Sequence, residues 1–416
     1  MKKISLLVLI SLLIFSCNKD DEMVQQCIAP TNLTETNITY HSATIQWEDA
    51  NEAQSFRILY GVSGFPMGSG NTFTVTGNTA TINGLLPNTT YDYYVDSYCD
   101  ANNISLFSTV KSFTTLSSPV STEFQPTLSE MNLFAGTLNQ LQPSAYAFEY
   151  QLHTPLFTDY AHKQRLIALP AGQTLEVNGD GFPNFPDNTV IAKTFYYNID
   201  DRDESLGKTI VETRVLIKKS GIWQLGNYKW NTAQTEAYLD TDGGTVPLVW
   251  IDTDGNENSV NYNIPNSQDC IKCHNNTGII TPIGPKLRSL NFEVNGINQL
   301  QKLKDFNLLN GLSSPDDISI LPNWEDTNNY TLAERARAYL DVNCAHCHSP
   351  GGFCSDQMPL DFRYETPFED TNIDAFKYAI SGYTSFYSPG VSMPLIGTTM
   401  VHQEGHDLIQ AYVNSL

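Results

Sequence analysis

TLAERARAYLDVNCAHCHSP, residues 331–350, is the stretch on which the reading of this chain turns. Thr331 and Glu334 make a capping box, and Ala336, Tyr339, Leu340 and Asn343 recur at helical spacing. A short helix should therefore run directly into Cys344-Ala345-His346-Cys347-His348. Two thiols three residues apart can each form a thioether to a haem vinyl group, and the histidine that follows can reach the iron as its proximal ligand. A second pentapeptide of the same form, Cys270-Ile271-Lys272-Cys273-His274, lies upstream. With 8 cysteines and 8 histidines in 416 residues, the chance expectation is roughly 0.003 such matches per chain. Two are read as chemistry, and the cofactors implied are two covalent c-type haems with their iron.

At the carboxyl end Leu408, Ile409, Tyr412, Val413 and Leu416 form a second apolar stripe, so two helices can cross behind one haem. Residues 328–416 thereby resemble a class I cytochrome c domain, which implies a mainly α fold and a distal methionine in a loop before the last helix, commonly followed by proline. Ser392-Met393-Pro394 is the match, so Met393 is carried over as the ligand opposite His348. A thioether there raises the reduction potential by favouring ferrous iron. Met358 and Met400 are its rivals, and a buried methionine is otherwise core filler. His346 points away from the iron if His348 binds it, toward the surface or a propionate. Cys354 is left over, a buried or surface thiol or else a bridge to another chain.

The first motif is less complete. His274 is its proximal ligand, yet no methionine lies between His274 and Cys344, and residues 256–265 before it read as loop or strand. Its sixth position is open to His153 or His162, to a methionine from the carboxyl-terminal region, to a nearby Lys or Asn, or to water. An open position would admit a small oxidant or gas. Ile297, Leu300 and Leu303 suggest one helix ending at Gly311 between the two motifs. The competing account is a thioredoxin-like redox pair or one zinc site built from Cys270, Cys273, Cys344 and Cys347. The first needs a βαβ surround, and the second leaves two histidines unexplained.

The amino-terminal part is organised differently. Lys2 and Lys3 precede an apolar run, Ile4 to Phe15, too short to span a bilayer, which reads as a signal peptide over residues 1–17. Leu13-Ile14-Phe15-Ser16-Cys17 resembles a bacterial lipobox, implying cleavage before Cys17 and its acylation. Asn18 to Glu22, in a tether over 18–26, resembles an acidic signal for outer-surface placement, or is simply a charged tether. Either way the expected compartment is oxidising.

Residues 27–115 alternate in short strands separated by turns, as an all-β sandwich requires. Trp47 and the run Leu85-Leu86-Pro87-Asn88-Thr89-Thr90-Tyr91 resemble a fibronectin type III domain, in which a tyrosine hydroxyl bonds back to the turn; such a module is a spacer or docking unit. Cys27 and Cys99 are its only thiols and are expected to pair. Residues 116–126, with Ser117, Ser118, Pro119 and Ser121, read as a linker.

Residues 127–265 read as a mainly antiparallel β domain, with strands over Val190–Ile199, Thr209–Lys218, Trp223–Trp230 and Thr245–Ile251. Asp240–Gly243 and Asp252–Gly255 are Asp-Thr-Asp-Gly turns; no calcium loop is complete around them, so tight hairpins are expected. His153 and His162 are read as hydrogen-bonded or surface histidines. YQLHTPLFTDYAHKQRLIALPAG, KTFYYN, ETRVLI, YKWN, the first motif (266–327 with its surroundings), GPKLRSLN and ARAYLDVNCAHCHSPGG together resemble a family of secreted bacterial proteins with c-type haem motifs behind a β-rich region. The likeness spans residues 124–416 and implies no substrate.

The chain has 45 acidic and 23 basic residues, a net charge of −22, which argues against nucleic acid or an anionic membrane face as partner. The fold class expected is therefore multidomain: a fibronectin type III sandwich, an antiparallel β domain and a mainly α cytochrome c-like domain. The function expected is electron transfer at the bacterial envelope by a lipoprotein anchored in the outer membrane, at the cell surface or facing the periplasm. A redox protein or a small donor or acceptor would be its partner. Two other readings stay open: a dihaem peroxidase or oxidase with an open first haem, and a surface adhesion or binding protein whose haem domain is structural. The sequence is silent on oligomeric state.

Overall fold

The computed structural model describes residues 26–416, so the signal segment and Cys17 lie outside the described residues. The described residues divide into two compact units, 26–118 and 119–416.

The first unit is a seven-stranded sandwich. One sheet has the order β1 (Thr31–Thr36), β2 (Ser42–Glu48), β5 (Thr79–Asn83). The other has the order β4 (Asn71–Val75), β3 (Ser55–Val62), β6 (Thr90–Tyr98), β7 (Lys111–Thr114). Period-two alternation puts Ala43, Ile45 and Trp47 of β2 against Phe56 and Ile58 of β3 and Tyr91, Tyr93 and Val95 of β6. The Leu86 amide donates to the Tyr91 hydroxyl at 2.9 Å, the expected corner. Cys27 and Cys99 are joined by a disulfide with Cα atoms 5.9 Å apart.

The second unit is built on a six-stranded antiparallel sheet. Its spatial order is β14 (Ala237–Asp240), β13 (Ile222–Trp230), β12 (Lys208–Lys219), β11 (Val190–Asn198), β9 (His162–Ala168), β8 (Phe148–Glu149). Between these in sequence, a short β10 (Leu175–Glu176) pairs in parallel with Leu309–Asn310. A separate hairpin, β15 (Gly244–Ile251) and β16 (Glu257–Ile264), follows the sheet. Both Asp-Thr-Asp-Gly segments are turns whose first carboxylate accepts backbone amides: Asp240 from Asp242 and Gly243, Asp252 from Asp254 and Asn256.

One face of the large sheet, with Leu166, Ala192, Val215 and Tyr228, is covered by Leu128, Met131, Leu133 and Leu141. From residue 119 the segment expected as linker is already packed on this unit. Phe124 lies so close over Gly226 that a Cβ there would come 2.3 Å from its ring.

The opposite face carries two apolar clusters. Ile167, Ile191 and Leu216 pack under Leu287, Leu290 and Leu300; Phe195 and Tyr197 pack under Trp250 and Tyr262 of the β15–β16 hairpin. Across this face run α1 (Ser267–His274), α2 (Leu287–Leu290) and α3 (Gln299–Asp305). The helix expected to reach Gly311 stops six residues earlier, because Asn307 adopts φ 54° and the chain turns to add Leu309–Asn310 beside β10. Ile297 precedes that helix in a small hairpin rather than lying on it.

The chain ends in α4 (Leu332–Asn343), α5 (Ile373–Thr384) and α6 (Gln403–Ser415). Thr331 caps α4 with Glu334 as expected. Ala336, Tyr339 and Leu340 of α4 meet Leu408, Ile409, Tyr412 and Val413 of α6 in one core. Leu416, expected in that stripe, is exposed because α6 ends at Ser415 and the terminal residue has left the helix.

Candidate functional site

Each Cys-x-x-Cys-His segment is held by a helix. The first is the second half of α1, whose N-cap Asn266 accepts the Gln268 and Asp269 amides at 2.9 and 3.0 Å. The second continues from α4. The Cys344 amide bonds to the Leu340 carbonyl at 2.9 Å and the His348 amide to the Cys344 carbonyl at 2.9 Å, one further helical turn that brings His348 back beside Cys344.

Cys344, Cys347 and His348 line one cavity of about 370 Å³ together with Met358 and Met393. The remaining wall is largely apolar, with Leu340, Leu360, Phe362, Ile380 and Leu395. Met393 is placed by its amide, which donates to the Tyr383 carbonyl at the end of α5 at 2.8 Å. Met400 is elsewhere, against the Trp250–Tyr262 cluster. His348 is 8% exposed and its Nδ1 is buried without a hydrogen-bond partner. Burial pushes the Cys344 thiol up to about 12, so it stays protonated near neutrality.

The first motif borders a tighter cavity of about 70 Å³ lined by Cys270, Cys273, His274, Lys193, Arg214 and Phe157, among others. His274 Nδ1 lies 2.7 Å from the Thr281 carbonyl, which can only accept, so the proton sits on Nδ1 and Nε2 keeps its lone pair. Burial, reinforced by Lys193, lowers the His274 pKa to about 3 and keeps the ring neutral. His153 and His162 are engaged elsewhere. His153 Nδ1 meets the Leu321 carbonyl at 2.7 Å, and His162 Nε2 meets Asp201 at 2.7 Å. Neither lines the cavity beside His274, nor does any methionine.

The two motifs abut. The Thr277 amide donates to the Gly351 carbonyl at 2.9 Å and the Asn276 side chain to the Pro350 carbonyl at 3.1 Å. Cys273 Sγ, a His346 ring nitrogen and Cys347 Sγ all lie within 4.8 Å of one another. His346, expected to turn outward, thus stands between the motifs, on the walls of both cavities. Cys270 and Cys344 are not in this group, so the four-cysteine zinc arrangement is not assembled among the described residues. Cys354 is buried, its amide on the Cys347 carbonyl at 3.0 Å, and interactions with Cys347 and His348 lower its thiol pKa. The Cys347 thiol interacts with those of Cys273 and Cys354. This raises its own pKa and lowers theirs.

Lys193 and Arg214 were not singled out in the sequence, although the signal was present. In Ile191-Ala192-Lys193-Thr194-Phe195 strict alternation puts Lys193 on the same face as two buried apolar residues.

The fibronectin type III domain family matches residues 28–110, and the first unit is such a domain. Chitinase A1 of Niallia circulans is 37% identical over 89 residues, which is 21% of this chain and 12% of that enzyme. The chain therefore spans only a small part of the curated relative it matches. Among solved structures, a computationally redesigned β sandwich is 26% identical with TM-score 0.20, covering 21% of this chain and 95% of that one. The fn3 domain of human contactin 1 is 22% identical with TM-score 0.20, covering 22% of this chain and 78% of that one. Among the described residues no helix is long and apolar enough to cross a membrane.

Proposed function

We propose that the chain is a dihaem c-type cytochrome lipoprotein that passes electrons at the bacterial envelope, with its carboxyl-terminal helices as the cytochrome c-like part. The observation that carries this reading is a single cavity lined by Cys344, Cys347, His348 and Met393, with Cys273 of the other motif on its wall. The residues suit a haem: two thiols for thioethers, an imidazole with a buried orphan Nδ1, a thioether sulfur and an apolar surround. A haem bound there supplies one-electron exchange.

The chain's own residues do the rest. Thr281 fixes the His274 tautomer so that Nε2 is the ligand atom, Tyr383 holds the Met393 backbone, and Leu360, Phe362 and Ile380 exclude water. The contact between residues 276–277 and 350–351 holds the two motifs adjacent, and haems bound there would lie close enough to exchange electrons drawn from a redox protein or small donor. Acylation at Cys17 would anchor the chain in the outer membrane, at the cell surface or toward the periplasm, with the fibronectin type III unit as spacer. The deciding experiment is intact mass with a pyridine haemochrome spectrum after expression in a host that attaches c-type haem. Two haems per chain are expected, and a mass equal to the processed polypeptide and its lipid, without a Soret band, overturns the reading.

Two further readings each have one observation behind them. Because no methionine lines the cavity of His274, an open iron there would make the chain a peroxidase or oxidase; indifference of the reduced protein to carbon monoxide and background peroxide turnover would sink it. The group Cys273, His346 and Cys347 favours a zinc site; stoichiometric zinc and no haem in the purified chain would establish it.

A further inference from the structure

The sheet face beneath the first motif holds a row of cations with too few partners. Arg165 of β9, Lys193 of β11 and Arg214 of β12 are in direct cross-strand register, and Lys163 stands one step along on β9, opposite Phe195. Neighbours in such a row have Cβ atoms about 5 Å apart. The charges close around the Phe195 ring: Arg214 at 4.4 Å, and Lys163 and Lys193 each at 5.8 Å from its centroid. This row lies between the two apolar clusters of the same face. Arg165 is 5% exposed.

Their countercharges are few. Glu212 is fully buried and pairs with Arg214, accepting also from Tyr262 at 2.6 Å. Asp159 reaches this group electrostatically through Lys163, but its oxygens are taken by Thr399. Asp269, on the wall of the adjoining cavity, pairs with Lys272. Glu149 lines the cavity that holds Lys163 and Arg165, and burial lowers the pKa of both lysines, Lys193 to about 7. Among the described residues Lys163, Arg165 and Lys193 form no ion pair, and the Nε atoms of Arg165 and Arg214 are buried without partners. Isolated buried charge is costly unless paired.

We propose that Arg165, Lys193 and Arg214, with Lys163, form a clamp for paired carboxylates or an equivalent oxyanion beside the first Cys-x-x-Cys-His motif. Lys193 and Arg214 line the same cavity as Cys270, Cys273 and His274, and Lys163 and Arg165 line a neighbouring polar cavity of about 380 Å³. The anion sits in the cavity of the first motif against Lys193 and Arg214, with Arg165 in register beside Lys193. Its carboxylates come either from the propionates of a haem on Cys270 and Cys273, which rests on the proposed function, or from a diffusible oxyanion, which does not.

The test uses the full chain, its haem content counted by mass, with R165Q, K193Q and the charge-keeping K193R; K163Q serves if R165Q does not fold. Propionates are indicated if two haems are attached, R165Q and K193Q lower one reduction potential while K193R does not, and inorganic phosphate changes nothing. A diffusible anion is indicated if phosphate saturably raises the melting temperature and binds about tenfold more weakly to R165Q and K193Q, the loss expected for one charge-assisted hydrogen bond. That arm holds with or without haem, so loss of the haem reading does not decide it. The clamp is overturned if the neutral variants shift neither potential nor phosphate binding.

Discussion

Gly351 accepts the Thr277 amide at 2.9 Å with its own φ at +80°, and a Cβ on it would come 2.2 Å from Thr277 Cγ2. Only glycine allows both the backbone twist and the close approach, so this pair fixes the contact between the two motifs. Gly351→Ala is expected to cost on the order of 1–3 kcal/mol through strain and overpacking. Chemical denaturation of the second unit reads that loss. If the haems are present, electron exchange between them should slow as well.

Met393 and Met358 share the cavity with His348, whereas Met400 packs against Trp250 and Tyr262. If the proposed haem is held there, Met393→Ala should lower its potential and open its iron to carbon monoxide. Met400→Ala should leave the spectrum unchanged and cost about 2 kcal/mol or more of stability as a core truncation. Redox titration and carbon monoxide difference spectra of both variants check the assignment. A Met358→Ala variant with the spectral effects expected of Met393 would reassign the ligand.

The Cys27–Cys99 bridge closes nearly the whole fibronectin type III unit, with 72 residues of separation. A loop of that length constrains the unfolded chain by about 4 kcal/mol. Replacing both cysteines with alanine should destabilise the first unit by roughly that amount and leave the second unit's transition in place, which two-transition denaturation curves resolve.

Much of this was legible because it is local. A capping box, an alternating strand and the Leu86–Tyr91 corner each lie within a few residues, and each formed where the residues said it would. The end of α3 was missed because it depends on one left-handed asparagine and on a parallel partner, β10, more than a hundred residues upstream. The cationic row was missed for the same reason. Alternation alone puts Lys193 on a buried face, but only register sets it between Arg165 and Arg214, and register is not a local property. Nor does spacing say that Cys273 reaches Cys347, since the two segments meet through turns at Thr277 and Gly351.

His402 joins α6 to the loop before the sheet. Its ring stacks on Phe157 at 4.0 Å and its Nδ1 meets the Tyr339 hydroxyl at 2.8 Å. Burial lowers its pKa to about 4, outweighing the pull of Glu404 at 3.6 Å. A histidine whose folded pKa lies below its ordinary value of about 6.5 binds fewer protons folded than unfolded between those two values. Its contribution to stability is therefore fully present above pH 6.5 and is lost as pH falls toward 4, by on the order of 2–3 kcal/mol for a side chain this little exposed. His402→Gln, which keeps a polar partner for Tyr339 but does not titrate, should flatten that part of the stability profile of the second unit. An acid limb as steep in the variant as in the parent would mean that the loss of stability has another source.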